Sequence, residues 1–96
     1  MHLSSNEIKR LLKKWHFYKA HTSTSADGSE LARKISAIEK AIATLEDDDK
    51  TIIKLKYFQG VEVDIIKDKV FLSRAAVYKR IEKTVDEIAY LVANTN

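Results

Sequence analysis

The sequence predicts an all-α domain of about five helices, the last two joined by a tight turn. Three observations lead there. The 96-residue chain contains no proline and only two glycines, Gly28 and Gly60, too little turn-forming material for an all-β fold. Hydrophobic residues make up 45% and charged residues 32%, a globular composition that can fill one modest core. Apolar residues then recur at helical spacing in one run after another.

Ser4-Ser5-Asn6-Glu7 has the S-x-x-E form of a capping box. Behind it Ile8, Leu11, Leu12, Trp15 and Tyr18 define the first amphipathic helix, with Lys9, Arg10, Lys13 and Lys14 outside. Phe17 projects away from that stripe, so the helix either frays there or places Phe17 against a neighbour. His21–Ser29 lacks apolar periodicity and reads as a flexible connector. Asp27 through Glu30 opens a second helix, whose stripe is Leu31, Ile35, Ile38, Ile42 and Leu45. The acidic run Glu46–Asp49 suits the positive end of a third helix carrying Ile52, Ile53, Leu55, Tyr57 and Phe58. Gly60 is placed to end that helix with positive φ.

Val61, Ile65, Ile66 and Val70 give a short fourth helix, and Leu72 is placed to plug the corner that follows. Ser73 is an N-cap for the last helix, expected over about Arg74 to Val92. Its inner stripe is Val77, Ile81, Thr84, Val85 and Ile88, with Ala75, Lys79, Glu82 and Lys83 pointing away. Val85, Ile88, Ala89, Leu91 and Val92 are apolar enough to cover the core or to pair with a second subunit. The chain thus divides into a helical segment, 1–44, and a C-terminal unit, 45–96.

Composition also excludes. Without cysteine there is no disulfide, thiolate metal site or cysteine nucleophile, as suits a reducing cytoplasm. No apolar run has membrane-spanning length, and no signal peptide is expected. His16 and His21 lack a third ligand at useful spacing, and the acidic run lacks the glycine of a calcium loop, so no metal or other cofactor is expected. No phosphate-cradling glycine loop or nucleophilic triad can be assembled, and no enzyme is expected. The net charge of +3 is mild but unevenly spread. Residues 1–20 are basic, 27–50 acidic, and Arg74–Lys83 carries four cations and one anion. That last arrangement is the pattern of a helix-turn-helix whose second helix faces a polyanion.

From Leu45 to Leu91 the chain resembles region 4 of bacterial sigma factors. The shared features are Leu45 with the acidic cluster, Ile52 through Tyr57, Gly60, Ile66 and Val70, Leu72-Ser73, and Val77 with Arg80-Ile81. The layout as a whole is similar to phage late-gene transcription regulators of the ArpU and RinA type. Three positions depart from the sigma pattern: Ile65-Ile66-Lys67 replaces Glu-Ile-Ala, Phe71 replaces the turn glycine, and Glu46 replaces a proline.

The resemblance implies a sequence-specific transcription regulator in a bacterial cytoplasm, bound to double-stranded DNA. It puts Ser73, Arg74, Ala75, Tyr78 and Lys79 in the major groove. Arg74 would fork onto guanine, Ala75 would meet a thymine methyl, and Tyr78 would stack on the sugar-phosphate edge. Lys79 would read a guanine or hold a phosphate, while Arg80, Lys83 and Lys56 would hold phosphates. One such domain buries only about 600–1,000 Å² on DNA, so specificity calls for a homodimer, tandem sites or docking on RNA polymerase. Two other readings fit the same residues. One is a DNA-packaging subunit like the small terminase, which assembles rings. The other is a protein-interaction module that kept the fold without the DNA.

Overall fold

The computed structural model describes residues 1–24 and 29–94. Six α-helices occur among these residues: α1 (Ser5–Lys13), α2 (Trp15–Thr24), α3 (Glu30–Ala43), α4 (Asp47–Ile53), α5 (Val63–Val70) and α6 (Arg74–Asn94). A π-helical turn, Lys54–Phe58, continues α4.

The caps explain where the helices begin. Ser4 Oγ accepts from the Glu7 N–H at 3.1 Å, and Ser29 Oγ accepts from the Ala32 N–H at 3.0 Å. Each satisfies one of the donors that a first helical turn leaves unpaired. The capping box is completed on one side only, because the Glu7 carboxylate accepts from Lys34 Nζ on α3 at 2.7 Å. That bond lowers the Glu7 pKa from its ordinary value of 4.5. The tie therefore contributes above that value and is lost as pH falls through the depressed one.

Several boundaries differ from the sequence expectation. The expected first helix is two helices, broken at Lys14 (φ −118°, ψ 33°), which brings the number to six rather than five. The break lets Trp15 stay buried and stack on Phe58, ring centroids 5.2 Å apart, while Phe17 remains 66% exposed. His21 was expected to open the connector, yet α2 runs on to Thr24. Asp27, the expected start of the second helix, lies outside the described residues, and Ser29 supplies the cap. Ile65 was expected on the inner stripe of α5 but is half exposed, because Val63 and Ile66 take the buried positions. The last helix continues two residues past the expected Val92.

All these helices share one core. Ile8, Leu12, Ile38, Ile52, Ile53, Ile66, Val77, Val85, Ile88 and Val92 are essentially inaccessible and belong to one cluster. The segments 1–44 and 45–96 are thus packed on each other. Helix α6 lies at the centre, against α1, α3, α4 and α5. Its inner stripe of Val77, Ile81, Thr84, Val85 and Ile88 is buried throughout, and Val92 extends it. Burial of each large apolar side chain contributes about 1.5–3 kcal/mol, so the valines and isoleucines of this stripe are a substantial part of the packing. Polar ties follow the same geometry: Ser5 Oγ donates to Asp86, and Lys9 Nζ donates to Glu82. Advancing four residues on α1 steps back four on α6, so the two helices run antiparallel.

Two turns take left-handed backbone. Gly60 has φ +65°, as expected for the residue that ends the α4–π unit. Phe71, between α5 and α6, has φ 58° and ψ 42° and is 92% exposed. A side chain costs roughly 1–2 kcal/mol in that region, and Phe71 recovers little of it by burial. Gly60→Ala should therefore lower stability by about 1 kcal/mol and Phe71→Gly raise it by about 1 kcal/mol. Urea midpoints of the two variants against the parent check both signs.

Candidate nucleic-acid interface

Ser73 starts α6 as the sequence predicts: its Oγ accepts from the Ala76 N–H at 3.1 Å. Because the inner stripe is fixed by burial, helical geometry sends Ala75, Lys79, Glu82 and Lys83 outward, and all four are exposed. Among the residues proposed from sequence, Ser73, Arg74 and Tyr78 are also exposed, while Arg80 and Lys56 are half-buried. The eight fall on an outer ridge of α6 and its two flanks.

On the first flank, Lys56, Arg74 and Tyr78 line one shallow cleft with Glu62, Val63 and Asp64. Arg74 Nη1 donates to both carboxylate oxygens of Asp64, at 2.9 and 3.1 Å. The Arg74 guanidinium carbon lies 5.6 Å from the centre of the Tyr78 ring, within cation–π range. Tyr78 first, and Asp64 after it, raise the Arg74 pKa above its ordinary value. Lys56 reaches this cleft from the π-helical turn, where Gln59 N–H donates to Lys54 O at 2.9 Å. Five-residue closure widens the turn and re-aims the side chains on it.

On the second flank, Lys79, Arg80 and Lys83 surround a shallow depression floored by Leu72 and Ala76. Arg80 has a partner that sequence reasoning missed. Its Nε and Nη2 both reach Asp49 Oδ1 at 2.9 Å, and the Asp49 side chain is only 8% exposed. Arg80 thereby compensates a buried carboxylate and fastens α4 to α6. The only sequence signal was the acidic run, whose members look alike until the fold buries one. Lys79 and Lys83 make no ion pair among the described residues.

Glu82, the anion of the outer ridge, is paired with Lys9 of α1. Asp64, Asp49 and Glu82 are thus each tied to a cation of the same molecule. Among the described residues no group of three or more histidines, cysteines or carboxylates could hold a metal ion. None of their helices is long and apolar enough to cross a membrane. No protein-family model, curated protein or solved structure matches the chain.

Removing one partner of a buried ion pair strands the other charge, which costs about 3–5 kcal/mol when burial is complete. Arg80 keeps some solvent contact, so Arg80→Ala should destabilise by about 2–4 kcal/mol. Lys79→Ala should stay within about 0.5 kcal/mol of the parent. Chemical denaturation of both variants distinguishes the strut from the free cation.

Proposed function

We propose that the chain is a sequence-specific DNA-binding transcription regulator, of the kind carried by phages and prophages. In this reading α5, the turn Phe71–Ser73 and α6 act as a helix-turn-helix. The observation that carries it is the charge arrangement around α6. Glu82, Asp64 and Asp49 are paired within the molecule, whereas Lys79 and Lys83 stand exposed with no ion-pair partner among the described residues. The ridge therefore keeps the charges of Lys79 and Lys83 for a polyanion, while Arg74 and Arg80 are paired with Asp64 and Asp49.

The shape suits the same partner. Arg74–Lys83 rises about 15 Å at 1.5 Å per residue, and a major groove about 12 Å wide admits an α-helix. Arg74 reads a guanine, Ala75 offers its methyl to a thymine, and Tyr78 meets the sugar-phosphate edge. Lys79, Lys83 and Lys56 hold phosphates, which fix position and carry no sequence information. Arg80 contributes by holding α6 in place. An interface of this size calls for a second copy on an adjacent half-site or a neighbouring contact with RNA polymerase.

Fluorescence anisotropy with tiled duplexes from the DNA around the gene tests the reading. One tile should bind roughly a hundredfold or more tighter than scrambled duplex. Lys79→Ala with Lys83→Ala should weaken every tile and reduce the salt slope by about 2. No binding to any duplex, or binding indifferent to both substitutions, overturns the proposal.

A further inference from the structure

Arg74 is held before any ligand arrives. The bonds to Asp64 occupy Nη1 alone, which leaves the Nε–Nη2 edge clear of the carboxylate. That edge has the two parallel donors that match O6 and N7 of guanine. The ring of Tyr78, one helical turn along α6, restrains the same guanidinium through a cation–π contact. Arg74 is the first residue of α6, and Asp64 lies in the first turn of α5. The two helices of the motif together set the plane of one side chain.

We propose that Asp64 and Tyr78 are positioning residues that present the free edge of Arg74 to a guanine in the major groove. The inference rests on the DNA-binding reading and adds what fixes the side chain that reads the guanine. Its physical basis is entropic. Arginine has a long, rotamer-rich side chain, and ordering it in advance removes a cost that binding would otherwise meet. Stability gives a poor account of the same pair. Both side chains are more than half exposed, and exposed ion pairs contribute little to folding. Asp64 also places a carboxylate beside a helix meant for phosphates. That is unfavourable for indifferent binding and is offset here by its bond to the reading side chain.

The test uses the intact chain and duplexes selected by it from a randomised pool. Binding is measured with each base at each position in turn. The parent should prefer guanine at one position by roughly tenfold or more, and Arg74→Ala should level that position. Asp64→Ala should narrow the same preference severalfold, leaving other positions, the salt slope and thermal stability unchanged. Asp64→Asn, which keeps an acceptor oxygen, should restore part of it. If Asp64→Ala tightens binding to all duplexes and leaves the guanine preference intact, Asp64 only repels phosphate and the proposal falls. If the parent selects a sequence in which Arg74→Ala levels no position, the proposal falls while the DNA reading stands. A parent that binds no duplex overturns both.

Discussion

Burial of the inner face of α6 is the constraint on which the other elements depend. Val77, Ile81, Thr84, Val85, Ile88 and Val92 are inaccessible along one side of a 21-residue helix. A helix that long has two ends with different neighbours. Near its start Arg74 bonds Asp64 of α5, a turn and a half later Arg80 bonds Asp49 of α4, and beyond that Glu82 and Asp86 meet α1. The same stripe that closes the core therefore determines which side chains cannot be buried. Ala75, Lys79 and Lys83 face outward because their neighbours in sequence face inward.

The ion pairs serve this arrangement more through placement than through energy. Arg74–Asp64 is more than half exposed and Lys9–Glu82 has its carboxylate in solvent, and such pairs contribute at most about 1 kcal/mol. Their consequence is that Glu82 and Asp64 are neutralised from within, beside the exposed Lys79 and Lys83, in a chain whose net charge is only +3. Arg80–Asp49 differs, because the carboxylate is almost wholly buried. There the partner is obligatory, and a cation beside the outer ridge of α6 is committed to the fold. Two arginines six residues apart on one helix thus have different duties, separated by the burial of their acids.

Much of the fold was legible because its signals are local. The stripe of α6, the caps at Ser4 and Ser73, and the positive φ of Gly60 follow from periodicity and from side chains acting within one turn. What escaped was decided at a distance. The break at Lys14 has no glycine or proline to announce it, and it accompanies the stacking of Trp15 on Phe58 from another element. The π-helical turn and the exposure of Ile65 likewise depend on which faces the neighbours occupy. Within the candidate site, periodicity identified the outward residues. It was silent on the pairing of Arg80 with Asp49, 31 residues away, and of Arg74 with Asp64. Phe71 is a middle case: its position between two helices was visible, and its left-handed backbone, unusual for a phenylalanine, was not.

DNA binding by the outer ridge of α6 remains the central proposal. The most direct measurement is a titration of the ¹⁵N-labelled chain with its preferred duplex, followed by amide chemical shifts. The account predicts the largest changes over Ser73–Lys83 and at Lys56, with α2 and the buried half of α6 little affected. Changes centred on α2, around the exposed Phe17, or spread evenly over every basic residue would contradict it.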